Sequence, residues 1–514
     1  VAGGVVSLTG NISYDTVSVT GGRLIGQAGT TITSAKTIVV SHGATFGTAG
    51  TVNANIEVRG TLSPGASPGT MTVNGNVLFT NGSNLLLEMA PTGSDRLNIS
   101  GTMNIQAGAT LDITGILQST PGGALDLVVA QGGITGGFTT INKSETVFGF
   151  VATRGNRIQL VGEFQNDNAF GANVRDSIRY ANAVLGGGQM VQTFTNALPS
   201  LVETNGASRA ASFAALSPEA FAAADQASVE SGLAVVDAMR AQDNGGKGHV
   251  GFYGFAQSLY QEGALQGNAG TGAHDLRSDS RGLLGGFGWG FSEAARVNAF
   301  VGTLSTSQTV EGLGASTKLE GMQVGVSASA ELGGLALRGL VAYDLSRAKT
   351  RRAVPGGTAT SRYDLGGFVA DMSAGYQVSL GSARITPRIG LTYVEAGRNH
   401  LAEGGSGFAL EVVRNTGNAL FGDAALGVSF DLGGVTPWAE AGIRHQFSGN
   451  NGRASAAYAA ASAGGLMSAL AAERGDTMAH LALGVTAPVS KGVRLNLSYS
   501  GEYGAGVGGS FGGR

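Results

Sequence analysis

The stretch VRLNLSYSGEY, residues 493–503, alternates apolar and polar residues along most of its length. One face carries Val493, Leu495, Leu497, Tyr499 and Tyr503, and the other carries Arg494, Asn496, Ser498, Ser500 and Glu502. Successive side chains of a β-strand point to opposite faces, so this pattern predicts a strand with one apolar and one polar surface. Soluble sandwiches alternate in the same way, and the pattern alone does not distinguish them from a membrane sheet.

The same period recurs in LALRGLVAYDLS (335–346), ARITPRIGLTYV (383–394) and VTPWAEAGIRHQF (435–447). If the apolar faces meet lipid, the polar faces line the lumen of a barrel. The charged residues expected to face that lumen are Arg338, Asp344, Arg384, Arg388, Glu440, Arg444, Arg494 and Glu502. We interpret them as pairing with one another and with water rather than as a ligand site.

The connections between strands favour a membrane barrel. We predict eleven strands, at residues 249–261, 279–292, 295–306, 317–332, 335–347, 361–379, 383–397, 418–432, 435–448, 476–488 and 491–503. Tight turns such as Leu332-Gly333-Gly334 alternate with long connections near residues 262–278, 307–316, 348–360, 398–417 and 449–475. Short turns on one side and long loops on the other are typical of outer-membrane barrels.

One helix interrupts the β pattern, at LSPEAFAAADQASVESGLAVVDAMR, residues 216–240. Ser217 is a candidate cap before Pro218 and Glu219, and Asn244-Gly245-Gly246 is predicted to end the helix. Its many alanines make it slim enough for a confined lumen. We therefore predict a pore helix with Asp225, Glu230 and Asp237 facing the lumen arginines. Arg240 falls on the same helical face as Val229, Leu233 and Val236.

Residues 1–162 carry a loose repeat in which a glycine precedes an apolar residue by two or three positions. Steps of 21 and 17 residues separate Gly22, Gly43 and Gly60. Repetition on this scale indicates a solenoid, in which each coil buries its apolar residues against the next and glycine permits tight corners. We predict a right-handed parallel β-helix.

Composition narrows the functional classes. The chain has 514 residues, 87 of them Gly, 13% charged residues and a formal net charge of −3, without the basic surface of a nucleic-acid-binding protein. No cysteine is available for disulfides or metal ligation. His42 is the only histidine before residue 249. We assign no catalytic residue, cofactor or metal, and expect no enzyme. Arg474-Gly475-Asp476 is interpreted as a chance triplet.

The order of features resembles a known family. The helix 216–240, GFYGFAQSLY (251–260), SRGLLGGFGWGF (280–291), ARITPRIGLTYVEAG (383–397) and VTPWAEAGIRHQF together resemble the autotransporter β-domain of type V secretion. GTLSPGASPGTMTVNGNVLF (60–79), with residues 93–115 and 132–164, resembles the C-terminal end of autotransporter passengers.

The resemblance implies an all-β protein with a β-helical passenger end (1–164), a helical linker and pore helix (165–247) and a twelve-stranded antiparallel transmembrane barrel (248–514). It also implies that the barrel translocates and anchors its own passenger at the bacterial surface, with outer-membrane lipid and the barrel-assembly machinery as partners. Host or cell-surface ligands of an adhesive passenger would be further partners.

The sequence departs from the family in several places. Eleven strands is an odd number, and GAGVGGSFGGR (504–514) falls where an external loop is expected. We therefore expect either a chain cut from a longer precursor at both ends, with a truncated closing strand, or a poor closing strand formed by these last residues. Some members cut themselves at paired Asn residues in the pore helix. Because Asn205 and Asn244 stand alone and Asn450-Asn451 lies in a loop, we do not expect this cleavage.

Two other classes remain open. The chain is alternatively a porin-like channel with a β-solenoid extension, or the stalk of an enzyme passenger whose catalytic part lies outside this sequence. An adhesin acting through the solenoid is a third option, which no particular residue supports.

The facing of the strands is testable. Leu391→Asp or Leu497→Asp is expected to impair membrane insertion, whereas Thr392→Asp or Ser498→Asp is expected to be tolerated, because only the leucines face lipid. The measurement is the folded fraction recovered from outer membranes. If both pairs behave alike, the facing assignment is wrong.

Overall fold

A computed structural model describes residues 1–65, 68–91, 93–115, 124–144, 147, 149–203, 207–243, 249–449, 452–461, 465–490, 492–504 and 507–513. The chain divides into two compact units, Val1–Asn166 with Ile178–Arg209 and Asp167–Ser177 with Ala210–Arg514. The predicted linker, residues 165–247, is shared between the two units, and its boundaries stay a prediction. None of the described helices has the length and apolar character needed to cross a membrane.

The first unit is a β-solenoid built of short strands. They are β1 (Ala2–Leu8), β2 (Asn11–Tyr14), β3 (Ser18–Val19), β4 (Gly21–Gly26), β5 (Thr31–Ser34), β6 (Ile38–Val40), β7 (Thr45–Thr48), β8 (Thr51–Asn53), β9 (Ile56–Val58), β10 (Thr61–Leu62), β11 (Thr70–Val73), β12 (Val77–Phe79), β13 (Asn84–Ala90), β14 (Gly93–Ser94), β15 (Arg96–Ile99), β16 (Met103–Ile105), β17 (Thr110–Gly115), β18 (Ala124–Ala130), β19 (Ile134–Gly136), β20 (Thr140–Lys143), β21 (Phe150–Arg154) and β22 (Arg157–Val161).

These strands stack into three sheets. One runs β1-β4-β7-β10-β13-β17-β20, the second β2-β5-β8-β11-β15-β18-β22-β21 and the third β3-β6-β9-β12-β16-β19. Successive coils pair in parallel, except at the end, where β21 and β22 form an antiparallel hairpin against β18. The predicted parallel solenoid is confirmed.

Each coil contributes an inward apolar residue to a continuous core. In the first sheet Leu24, Phe46, Leu62, Leu85 and Leu111 follow one another in register, and each is at most 3% exposed. Burying such a side chain contributes roughly 1.5–3 kcal/mol, which explains why the repeat is kept although the coils differ in length.

Two glycines of the repeat, Gly43 and Gly60, stand just before strands of this sheet, whereas Gly22 lies within β4. Gly43 has φ +75° and precedes β7 by two residues. At Gly60, before β10, an added Cβ would lie 2.2 Å from the carbonyl oxygen of Ser41. Only glycine fits both the left-handed backbone and this close approach between coils.

Four helices follow the solenoid, α1 (Ala172–Gly186), α2 (Val191–Leu201), α3 (Ala210–Leu216) and α4 (Glu219–Asp243). Helix α4 begins where Ser217 and Pro218 predict it. The Ser217 hydroxyl accepts a weak 3.4 Å hydrogen bond from the amide of Glu219. The predicted stop at Asn244-Gly245-Gly246 lies outside the described residues, as do Asn205, Asn450 and Asn451.

The remaining strands belong to the second unit. They are β23 (Gly251–Leu265), β24 (Leu276–Ser292), β25 (Ala295–Val310), β26 (Ala315–Leu332), β27 (Leu335–Val354), β28 (Gly357–Tyr376), β29 (Val378–Leu380), β30 (Ala383–Arg398), β31 (Leu401–Ala402), β32 (Leu410–Val412), β33 (Asn415–Phe430), β34 (Thr436–Gly449), β35 (Arg453–Tyr458), β36 (Met467–Leu470), β37 (Thr477–Ser490), β38 (Val493–Gly504) and β39 (Val507–Gly513).

Twelve of these described strands form a closed antiparallel barrel, and short β29 continues β28. The sheet order is β28-β27-β26-β25-β24-β23-β39-β38-β37-β34-β33-β30-β29, with a further pairing between β28 and β30. The fold class is therefore confirmed.

The last residues form a short closing strand, which is the twelfth strand of the barrel. Residues 507–513 form β39, which pairs with both β38 and β23 and closes the barrel. The glycine-rich sequence VGGSFGG has no alternation to reveal a strand, but its backbone groups still supply the ladder hydrogen bonds.

Two of the predicted long loops are also corrected. Residues 348–360 are mostly strand, because β27 and β28 each run for 20 residues and meet at the two-residue turn Pro355-Gly356. Residues 307–316 shrink to a short turn between β25 and β26. The connections at 398–417 and 449–475 stay long, and they carry β31, β32, β35 and β36, which form a separate four-stranded sheet.

The apolar face of the barrel points outward, as predicted. Leu391 and Leu497 are 41% and 62% exposed, whereas Thr392 is fully buried and Ser498 nearly so. Thr392 donates a 2.7 Å hydrogen bond to Asp371, so Thr392→Asp would place two buried carboxylates together. We therefore no longer expect Thr392→Asp to be tolerated. The insertion test uses Leu497→Asp and Ser498→Asp as its matched pair.

A buried carboxyl makes the stability of the solenoid pH-dependent. Asp95 is 1% exposed, and its carboxylate accepts hydrogen bonds from the amides of Gly69 (2.8 Å) and Glu88 (2.9 Å). Burial raises the pKa of Asp95 to about 6, against the opposing effect of these two bonds. Since the folded pKa lies above the ordinary value of 3.8, the stabilising contribution is full below that value and is lost as the pH rises through about 6.

We expect the solenoid to unfold at lower denaturant concentration at pH 7.5 than at pH 4.5, and Asp95→Asn to flatten this difference. Far-UV circular dichroism follows the whole chain, while both tryptophans, Trp289 and Trp438, report on the barrel alone. The control is Asp15→Asn, at an exposed surface pair. An unchanged pH slope in Asp95→Asn would contradict the assignment.

Candidate functional site

Helix α4 occupies the barrel lumen and packs one side against an apolar part of the wall. Val229, Leu233, Val236 and Met239 share a buried cluster with wall residues from β23 to β33, which are Leu259, Leu284, Phe300, Leu340, Ala342, Val369, Val394, Ala396, Ala419 and Phe421. An added Cβ at Gly232 would lie 3.0 Å from a methyl group of Val394. The helix is in contact with the wall here, without a water layer between them.

The C-terminal half of the helix is tied to the wall by Arg240. Its guanidinium contacts Asp371 of β28 at 2.6 Å and Asp423 of β33 at 3.0 Å, and all three side chains are less than 10% exposed. The sequence placed Arg240 on the apolar face, where it does lie, but did not find the two wall carboxylates that neutralise it.

An adjacent face of the helix meets the arginines of β34 and of the segment before β37. Arg444 contacts Asp237 at 2.7 Å and Glu502 at 2.5 Å. Arg474 contacts Glu230 at 2.7 Å and also pairs with Glu502. Because Arg474 is 5% exposed and faces the helix, the Arg474-Gly475-Asp476 triplet is not presented as a surface adhesion motif.

The N-terminal half of α4 has its own buried partners. Arg398 contacts Asp225 at 3.0 Å, and the side-chain amide of Asn415 donates to the same carboxylate at 2.9 Å. Arg352 is 1% exposed, pairs with Glu403 at 2.5 Å and donates to the carbonyl oxygen of Ala215 at 2.7 Å. Removing one member of such a buried pair leaves an uncompensated charge, so these contacts fix the position of the helix.

The other residues predicted to face the lumen lie apart from the helix contacts above. Arg388 pairs with Asp423 and Glu440 rather than with α4. Asp344 accepts a hydrogen bond from Ser346, and Arg338 and Arg384 line a cavity towards the short turns. Arg494 is exposed.

The sheet of β31, β32, β35 and β36 covers the start of α4. An added Cβ at Gly452 would lie 2.0 Å from the carbonyl oxygen of Ala222, so this sheet touches the helix backbone. Asn173 exchanges two 2.9 Å hydrogen bonds with the backbone of Leu470. The long loops therefore hold chain segments at the lumen entrance rather than leaving it open.

One cavity beside the helix is small. A cavity of about 30 Å³ lies among Glu230, Asp237, Arg444 and Glu502, room for about one water molecule. This arrangement suits retention of a helix in a pore.

The barrel region is similar to known proteins. The sequence model of the family described as Autotransporter beta-domain matches residues 254–500. Among solved structures, the translocator domain of the autotransporter NalP from Neisseria meningitidis is similar, with 17% identity, a TM-score of 0.46, and coverage of 56% of this chain and 97% of that one.

Two further structures are similar at a TM-score of 0.36. They are the beta domain of the Bordetella autotransporter BrkA, with 18% identity over 51% of this chain and 97% of that one, and the transport unit of AIDA-I from Escherichia coli, with 12% identity over 51% and 88%. No curated protein matches the sequence.

The buried pairs predict a large effect of removing Arg240. Arg240→Ala leaves Asp371 and Asp423 without their shared partner and is expected to destabilise the filled barrel by about 3–5 kcal/mol. The measurement is denaturant unfolding followed by tryptophan fluorescence, with proteinase sensitivity of the helix as a second readout. The control Arg347→Ala breaks an exposed pair with Asp364 and should cost less than about 1 kcal/mol. Equal losses would argue against anchoring by Arg240.

Proposed function

We propose that this chain is an autotransporter whose outer-membrane barrel delivers its β-helical passenger and then keeps it tethered at the cell surface through α4. The observation that carries the proposal is the buried set of ion pairs that holds α4 in the lumen. A helix joined covalently to the passenger and locked by Asp225, Asp237 and Arg240 is an anchor.

We also propose that the passenger end is a structural stalk rather than an enzyme. In the described part of the solenoid, the carboxylates of two aspartates make contacts that stabilise the fold. Asp126 pairs with Arg96 and Arg157, and Asp95 holds two backbone amides. We do not propose adhesion to a host or cell-surface ligand, because no described residue supports it.

The barrel-assembly machinery is the proposed partner for insertion. The outward side chains of β24 to β38 include many exposed apolar residues, among them Leu283, Val326, Ile389 and Leu495. Such a surface is stable in lipid but not in water, so the nascent barrel needs assistance until it closes.

Surface display is testable on intact cells. Cells that make the full chain are treated with proteinase K, and fragments are detected with antibodies to the solenoid and to the barrel. We expect loss of the solenoid and retention of a barrel fragment that contains α4. Cells that make Leu497→Asp, with its impaired insertion, are the negative control. A solenoid that is protected until the outer membrane is opened would contradict display.

The porin alternative makes a different prediction in planar bilayers. With α4 in place we expect a conductance far below that of an open pore, and deletion of residues 219–243 is expected to raise it at least several-fold, because the helix fills the lumen. The control is the purified Arg347→Ala protein, which keeps the helix and should conduct as the unmodified chain does. A wide, steady conductance in the unmodified chain would favour the porin-like channel instead.

A further inference from the structure

Three side chains of the types that can ligate a metal ion lie close together between α4 and the barrel wall. Asp237 lies on α4, His480 on β37 and Glu502 on β38, and one ligand atom from each lies within 4.8 Å of the others. Two ligands bonded to one ion at 2.0–2.2 Å are separated by at most about 4.4 Å. Small side-chain shifts therefore bring all three to a common ion.

The position of His480 points to such an ion. The side chain is 8% exposed, and its Nδ1 has no hydrogen-bond partner in the described part of the chain. This nitrogen lies 3.6 Å from Oε1 of Glu502, too far for a hydrogen bond. The distance is close to the roughly 3.4 Å that separates two ligands of a tetrahedral zinc site. A buried imidazole nitrogen without a partner is otherwise unfavourable, because nothing replaces its hydrogen bond to water.

The charge of the surroundings also favours a cation. His480 belongs to a connected set of ion pairs in which six carboxylates face four guanidinium groups among the described residues. They are Glu230, Asp237, Asp371, Asp423, Glu440 and Glu502, with Arg240, Arg388, Arg444 and Arg474. With a neutral imidazole, this set carries two more negative than positive charges.

We propose that Asp237, His480 and Glu502 bind a divalent first-row transition-metal cation of the Zn²⁺ type. One imidazole nitrogen and two carboxylate oxygens form a ligand set that suits such an ion. Arg444 and Arg474 do not prevent binding, because each carboxylate has two oxygens and about four lone-pair sites. Their hydrogen bonds orient the carboxylates as outer partners do in other metal sites.

The site would link the helix to the wall, since α4 supplies one ligand and the barrel supplies two. Binding only to the helix-filled barrel stabilises that state by mass action. The cation is thus a further tether of the plugged pore, and it requires no catalytic role.

The test uses the purified full chain in detergent, with Co²⁺ as a spectroscopic probe and Zn²⁺ as competitor. We expect one Co²⁺ per chain, visible absorption bands that Zn²⁺ abolishes, and a dissociation constant at least tenfold weaker in His480→Gln. The matched control is His445→Gln on the neighbouring strand, whose ring hydrogen-bonds to Thr477, and it should bind as the unmodified chain does.

Tryptophan fluorescence checks that each variant retains a folded barrel. If His480→Gln fails to fold, Glu502→Gln replaces it, with the same expected weakening. The proposal is overturned if the folded, unmodified chain binds no stoichiometric Co²⁺ or Zn²⁺, or if binding survives unchanged in the ligand variants. Surface display does not enter this measurement, so it can fail while the proposed function stands.

Discussion

A charge enclosed in a narrow barrel must find a partner there, because little water is present to solvate it. This constraint governs the interior of the pore. Wall arginines such as Arg398 and Arg444 are less than 10% exposed, and the carboxylates of Asp225 and Asp237 on the helix neutralise them. An empty lumen would leave these groups unpaired unless water entered, so wall and helix depend on each other for stability.

The spacing of the pairs sets the height of the helix in the pore. Asp225 and Arg240 are separated by 15 residues, or about 22 Å of helix, which approaches the height of the apolar band of a barrel. The apolar contacts of Val229, Leu233 and Val236 lie on the same face as Arg240 and set the rotation of the helix. If the helix slid along the pore by one turn, about 5.4 Å, every ion pair would be separated. Gly232 would also lose its close contact with Val394.

Periodicity made much of the architecture predictable. Alternation located most barrel strands, and glycine spacing located the coils, because both patterns follow from which side chains must be buried. Strand β39 has almost no side chains to carry a pattern. Arg352, Arg398 and Arg474 were missed because they lie in or beside segments that were predicted to be external loops, whereas the strands and ordered loops extend beyond the membrane. Sequence spacing also cannot reveal His480 beside Asp237 and Glu502, since three separate elements bring them together.

The same pairs give the tether a direction. If the chain passes through the lumen, as the proposed delivery requires, segments without matching charges gain no buried partners there and leave the wall arginines and aspartates unsatisfied. The segment that carries Asp225, Glu230, Asp237 and Arg240 pairs with wall residues along the length of the helix, and the sheet of β31, β32, β35 and β36 covers its first turns. Retention of the helix is therefore a property of complementary charge and register, and it needs no covalent bond between helix and wall.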